Sequence, residues 1–337
     1  MTAYIKAVEV FLPEKIESNN DLQDYNHTWD IDKIFKKTGI LTRHIANKNE
    51  TALDLGVKAS EKLFSENHIS KDKIDYLIFC TQSPDYFLPT SACIIQDKLG
   101  LNQEIGAIDV NQGCSGFVYC LSIAKGLIES NQAKNILIIT ADTYSKFINK
   151  SDKSVRTLFG DAGTCTLISD DISGKRNISK IVNGTDGSGA KNLIVPHGGL
   201  RNPINKTSNV EINDKSNNVR SPSNLYMNGQ SIYSFTLKKI PNVFNEILEN
   251  SKYDKSKIDM FIFHQANKFI LDSLQNKLDI PPEKMHRSYK YIGNTVSSTI
   301  PIGIHFEMKR NNQHKNTTAL LLGFGVGLSW AGTIVNY

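Results

Sequence analysis

Apolar residues in this chain gather in short unbroken runs, separated by longer stretches of three-and-four spacing. The runs Tyr76-Leu77-Ile78-Phe79-Cys80, Ile136-Leu137-Ile138-Ile139 and Met260-Phe261-Ile262-Phe263 have no polar alternation, so they predict strands covered on both faces. Segments 52–67, 117–129 and 232–250 carry apolar residues at helical spacing. Helices packed on both sides of buried sheets make an α/β protein. The uncharged stretch 319–335 (ALLLGFGVGLSWAGTIV) approaches membrane-spanning length, but its glycines break it into a strand, a glycine loop and a second strand.

The same pattern occurs twice. Lys73-Ile74-Asp75-Tyr76-Leu77-Ile78-Phe79 returns as Lys257-Ile258-Asp259-Met260-Phe261-Ile262-Phe263, an offset of 184 residues (257 − 73). The glycine-led turns at Gly113 and Gly293 keep nearly the same offset, 180 residues (293 − 113), and each half then ends in a β-rich run. A total of 337 residues fits two such units. We divide them as 1–172 and 173–337. Between them, 201–224 is polar and rich in Asn and Ser, which reads as a tolerated surface insertion.

Composition narrows the function. With 39% hydrophobic and 22% charged residues the chain is ordinary for a folded protein, and a formal charge of +5 suits a phosphate-bearing ligand better than nucleic acid. The five cysteines form no CxxC pair and do not cluster with histidines, so neither a disulfide scaffold nor a zinc site is expected. The N-terminus offers no secretory apolar core, and the chain reads as cytoplasmic, without membrane attachment.

Three residues invite chemistry. Cys114 follows the strand-like 106–110 and precedes the helical run 117–129, and a thiol at a helix N-terminus is expected to have a lowered pKa. The other cysteines, Cys80, Cys93, Cys120 and Cys165, read as small core residues. His264 ends an apolar run, and strand ends in α/β folds are where ligands bind. Alone, such a histidine is more often a structural hydrogen-bonder than a catalyst. Asn294 holds in the second half the place of Cys114 in the first, where by itself an asparagine would be a helix cap. The cluster Gly323-Phe324-Gly325-Val326-Gly327 breaks the dinucleotide pattern at Leu328 and fits a loop bringing backbone N–H groups to a reacting carbonyl. No cofactor and no metal is expected.

Together, D-V-N-Q-G-C-S-G-F at 109–117, H-Q-A-N at 264–267, G-N-T at 293–295 and G-F-G-V-G-L-S-W at 323–330 resemble β-ketoacyl-acyl-carrier-protein synthase III, as do T-G-I-L-T-R-H-I-A at 38–46 and F-G-D-A-G at 159–163. The resemblance spans nearly the whole chain. It implies a five-layered αβαβα thiolase-like fold of two duplicated halves, a homodimer, and an acyltransferase of fatty acid biosynthesis. It makes Cys114, His264 and Asn294 the catalytic triad. Acyl-CoA acylates Cys114, malonyl-acyl carrier protein loses CO₂ with His264 and Asn294 stabilising the enolate, and the carbanion attacks the acyl-cysteine. Backbone N–H groups of Cys114 and Val326 form the oxyanion hole.

Departures from the family pattern point to a specialised paralogue. Lys33 and Lys153 stand where a tryptophan and an arginine sandwich the CoA adenine, with Trp29 nearby, and Asn267 joins the CoA or phosphopantetheine contacts. Phe269 replaces a carrier-docking arginine, leaving Lys268 and Lys277 as the expected docking patch. Leu88 replaces a phenylalanine that reaches the partner's acyl pocket, which predicts longer or more branched starters. No cysteine follows Cys165, against a thiolase, and Gln82 stands where hydroxymethylglutaryl-CoA synthases carry glutamate. The alternative is an acyltransferase that moves the Cys114-bound acyl group to a hydroxyl or amine of a sugar or secondary metabolite. Release of CO₂ from a malonyl thioester separates the two.

Overall fold

The computed structural model describes residues 2–171, 173, 176–310 and 316–337. The apolar runs form the middles of two sheets. The first has the order Thr2–Phe11, Ala162–Asp171, Asn135–Asp142, Tyr76–Cys80, Gly106–Val110. The second has the order Met260–Phe263, Thr318–Gly325, Ser329–Asn336, Asn177–Ile178, with Val182–Thr185 also pairing Ser329–Asn336. The repeat seen in sequence is therefore a repeat of strand order. Tyr76 lies beside Ile136 in a parallel pair, and Met260 lies beside Ala319 in the same way. The edge strand Gly106–Val110 has a reduced counterpart, the parallel bridge of Phe261 with Met285.

Side chains alternate between the two faces of each run. Ile78, Ile136 and Ile138 point inward, with Ile262 and Leu321 of the other sheet, onto Phe117, Leu121, Ala124, Ile300 and Ile304. Those belong to two central helices, Gly116–Glu129 and Thr299–Arg310. Leu77 and Phe79 face outward onto helices Ala52–Glu66 and Ser91–Leu99. Phe261 and Phe263 do the same onto Gly229–Ser251 and Lys268–Lys277. The result is the expected five layers. Continuous apolar strands are required because both faces are covered, and each buried phenylalanine contributes about 1.5–3 kcal/mol.

The first sheet's last strand ends at Asp171 and the second sheet's first begins at Asn177. Residue 172, where the halves were divided, lies outside the described residues. Two expectations are corrected. Segment 201–224 is more than a surface insertion. It pairs Ile212–Asn213 with Val219–Arg220, and Arg220 bonds both Asp152 and Asp214, which ties the hairpin to the helix Lys153–Arg156. Such ties are invisible in a polar sequence, because each partner is distant or reads as solvated. Cys93 is exposed, unlike the buried Cys80, Cys120 and Cys165, because it falls on the outer side of a surface helix. No helix among the described residues is long and apolar enough to cross a membrane.

Candidate active site

The two central helices begin at turns that bring Cys114 and Asn294 into one cavity, and His264 joins them from the end of the strand Met260–Phe263. Cys114 lies just before Ser115, the cap of Gly116–Glu129. Ser115 Oγ meets Ser329 Oγ at 2.7 Å, which holds this turn against the second sheet. Asn294 is held by the first half: its N–H donates to the Leu158 carbonyl at 2.8 Å and its carbonyl accepts from Gly160 N–H at 3.0 Å. Gly293 reaches this position at φ +81°, a left-handed conformation, and a Cβ there would stand 3.0 Å from the Leu158 oxygen. Glycine meets both demands.

Cys114, His264, Asn294, Phe324 and Gly325 line a cavity of about 810 Å³. Its wall also includes Lys33, Lys153 and Asn267, together with Phe269, which the sequence analysis read only as a lost docking arginine, and Lys37, Ser216, Asn218 and Tyr233, which sequence reasoning missed. Lys37 lies one helical turn beyond Lys33 in Ile31–Thr38, so that spacing could have revealed it. Ser216 and Asn218 come from the 201–224 hairpin and carried no signal.

Burial sets the electrostatics. It pushes the Cys114 thiol up to about 12, and the Asp142 carboxylate adds to the rise. The N–H groups of Val326 and of Cys114 itself are directed at the sulfur and oppose the shift. The thiolate expected from a helix N-terminus is thus not the resting state, because desolvation outweighs the dipole. Burial also lowers His264 to about 3, so the ring is a neutral imidazole. Its Nδ1 lies 2.8 Å from Thr299 Oγ1, which can donate to the Val296 carbonyl at 3.1 Å. When Thr299 donates there it accepts from Nδ1–H, and Nε2 presents a lone pair. When Thr299 donates to Nδ1, Nε2 carries the proton. Asp142, raised by burial to about 7, accepts from Gln82 N–H, Ser297 Oγ and Ser297 N–H, joining the two halves beside the site.

Both asparagines are oriented by backbone donors. Asn294 Oδ1 accepts from Val296 N–H at 3.0 Å, and Asn267 Oδ1 accepts from Ile270 N–H at 2.9 Å. Each amide keeps its N–H₂ for the cavity it lines. Gly325 lets the glycine loop close on the thiol, since a Cβ there would stand 2.7 Å from Cys114 Sγ.

Other expected contacts fall elsewhere. Trp29 is buried against Leu22 and Ile34, not free to stack. Lys268 pairs with Asp272, and Lys277 Nζ donates to the Leu237 carbonyl at 2.9 Å. Neither lines the cavity. Leu88 is 82% exposed and also stands outside it.

Residues 108–187 match the family model described as 3-oxoacyl-[acyl-carrier-protein] synthase III, and 248–337 match the model of its C terminal. A β-ketoacyl-[acyl-carrier-protein] synthase III 2 of Staphylococcus epidermidis is 34% identical over 99% of this chain and 98% of its own length. A β-ketoacyl-[acyl-carrier-protein] synthase III of Clostridium perfringens is 35% identical over 97% and 96%. A crystal structure of a 3-oxoacyl-(acyl-carrier-protein) synthase III superposes with TM-score 0.97 at 45% identity, covering all of both chains. The 3-oxoacyl-(acyl-carrier protein) synthase of Burkholderia xenovorans gives 0.92 at 35%, over 100% of this chain and 94% of that one. Duplicated sheets, a cysteine and a histidine buried in one cavity, and full-length likeness agree: the chain belongs to the 3-oxoacyl-[acyl-carrier-protein] synthase III family, condensing acyltransferases of the thiolase fold.

Proposed function

We propose that the protein condenses an acyl group from acyl-CoA with a malonyl group on acyl carrier protein, with Cys114, His264 and Asn294 as its catalytic residues. The observation that carries this reading is one cavity lined by all three, with backbone N–H groups aimed at the sulfur. Cys114 and His264 are both neutral at rest, so the thiol proton moves to His264 only as the sulfur attacks. His264 Nε2 takes the Cys114 proton as sulfur attacks the thioester carbonyl, and returns it to the departing CoA sulfur.

In the second half-reaction the malonyl carboxylate leaves as CO₂. The enolate oxygen it generates is met by the Asn294 amide and by His264 in its Nε2–H tautomer. The enolate carbon attacks the acyl-cysteine carbonyl, whose oxygen becomes an anion facing the Cys114 and Val326 N–H groups. Collapse releases the 3-oxoacyl product and expels Cys114 as thiolate, which takes a proton from solvent to restore the thiol.

Lys33, Lys37 and Lys153 at the cavity wall supply positive charge for CoA or phosphopantetheine phosphates, and Asn267 supplies an amide. Lys268 and Lys277 contribute to carrier docking through the helix they share, their own charges being partly engaged. The exposed run Tyr86, Phe87 and Leu88 supports a homodimer that covers it, and the reaction belongs to the cytoplasm.

Intact-mass measurement after incubation with acyl-CoAs, with CO₂ release from a malonyl carrier, tests the reading. Cys114→Ser loses the acyl mass. His264→Ala and Asn294→Ala retain some acylation and lose decarboxylation. Normal condensation in any of the three overturns it.

A further inference from the structure

The hairpin Ile212–Arg220 gives Ser216 and Asn218 to the cavity wall. Ser216 is exposed there, as are Lys33, Lys37 and Lys153, whereas Cys114 and His264 are buried. The exposed wall residues mark the mouth. A thioester whose carbonyl meets Cys114 leaves its far end at this mouth, and in CoA that end is the phosphates and the nucleotide.

Two carboxylates stand directly behind the wall. Asp152 caps the helix Lys153–Arg156 and accepts from Ser154 N–H at 3.0 Å, so it sits next to the wall residues Lys153 and Ser154. Asp214 Oδ1 accepts from Ser216 N–H at 2.8 Å and from Asn218 N–H at 3.0 Å, which shapes the tip of the hairpin. One guanidinium joins the two. Arg220 Nε donates to Asp152 Oδ2 at 2.7 Å, and Nη2 donates to Asp214 Oδ2. The Asp152 side chain is fully buried and that of Arg220 nearly so. Elsewhere the hairpin is held to the first half by weaker ties, the exposed Asn149 amide on Glu211 at 2.7 Å and Val219 N–H on the Ser151 carbonyl at 3.4 Å.

We infer that Arg220 is a positioning residue for the nucleotide end of CoA, giving CoA thioesters preference over pantetheine thioesters that lack phosphates and base. This rests on the reading that acyl-CoA acylates Cys114. Two effects act together. The forked bond fixes Ser216 and Asn218 in the wall, and its charge offsets the carboxylates behind Lys153 and Ser216. Without it, Asp152 is a buried carboxylate lacking its cation, and both acids oppose the lysines that attract phosphate. A pantetheine thioester carries no charge to feel that change. Arg220 does not itself line the cavity, so it acts through the wall it holds.

The test is the rate of acyl mass gain at Cys114 with acetyl-CoA and with acetyl-pantetheine, over a range of concentrations, in wild type, Arg220→Gln, Arg220→Lys and Ser216→Glu. Wild type should prefer acetyl-CoA at least about ten-fold. Arg220→Gln should lower that preference about ten-fold, through KM for acetyl-CoA and not through kcat, and the loss should shrink as salt is raised. Arg220→Lys keeps the charge that Asp152 needs for folding but lacks the fork, and should fall between the two. Ser216→Glu adds a carboxylate at an exposed point of the same wall, where folding tolerates it, and should lower the preference as well. A wild type indifferent to the nucleotide, an unchanged preference in the folded variants, or a loss in Arg220→Gln that is confined to kcat and unaffected by salt overturns the inference while leaving the condensing reaction standing. Absence of acyl mass with both thioesters in wild type overturns the reaction itself, and the role of Arg220 with it.

Discussion

Gly325→Ala tests how tightly the glycine loop must close on the nucleophile. The backbone of Gly325 is not in the left-handed region, so alanine adds no conformational strain. It adds one methyl. That methyl would stand 2.7 Å from Cys114 Sγ and 2.8 Å from Cys114 Cβ, where ordinary contact begins at 3.4 Å. The sulfur must therefore retreat by about 0.7 Å, or the loop must lift by the same amount and carry the Val326 N–H away. A displacement near 1 Å at the reacting atoms costs about 100-fold in rate, or about 2.7 kcal/mol of barrier. We expect acyl-enzyme formation to slow by roughly 10- to 100-fold, and the contact with Cys114 to lower the unfolding temperature while leaving the protein folded. Stopped incubations read by intact mass give the rate, and calorimetry checks the fold. Acylation at the wild-type rate in a folded Gly325→Ala protein would show that the loop does not hold the sulfur, and the oxyanion assignment would fall with it.

Thr299→Val keeps the shape beside His264 and removes the hydroxyl that serves Nδ1, so condensation turnover should fall about ten-fold or more with little change in KM for acyl-CoA. Thr299→Ser should recover most of it, and equal activity of the two variants would refute the role. Asp142 has its folded pKa raised from 3.8 to about 7, so the native state holds a proton that the unfolded chain releases between those values. Its contribution to stability is greatest below pH 4 and is lost as pH rises towards 7. Urea midpoints of Asp142→Asn should accordingly gain on wild type as pH rises from 4.5 to 7.5; a gap that stays constant over this range contradicts the shift. His264, lowered from 6.5 to about 3, acts with the opposite sign, its contribution being present above 6.5 and lost as pH falls. Gly126 lies exposed in a central helix with nothing within 4 Å of an added Cβ, so Gly126→Ala should stabilise by about 0.5–1 kcal/mol in urea unfolding without altering activity.

Local pattern and repetition were enough for a duplicated α/β unit, and the family resemblance supplied its five layers. Unbroken runs such as Leu77-Ile78-Phe79 and Phe261-Ile262-Phe263 can only be satisfied by strands covered on both faces, and their matched surroundings required two copies of one unit. The duplicated turns likewise singled out Cys114 and Asn294, because a glycine-led turn opening a helix leaves its mark within a few residues. The tertiary structure alone decided what surrounds them. Cys114 has a raised pKa, opposite to the lowering its helix position suggested, because desolvation depends on everything packed over the thiol and the helix terminus is only one part of that. The hairpin within 201–224 became a cavity wall through Arg220, Asp152 and Asp214, whose charges on paper read as solvated. Trp29 turned inward while Lys37 lined the cavity, a choice made by which face of a short helix meets Leu22. Tyr144 and Gln82 lie 62 residues apart and show no shared motif, yet parallel strands end side by side and bring the Tyr144 hydroxyl within 2.6 Å of Gln82 Oε1. Sequence spacing encodes contacts along one element; contacts between elements depend on how the layers stack, and the chemistry here is made of the second kind.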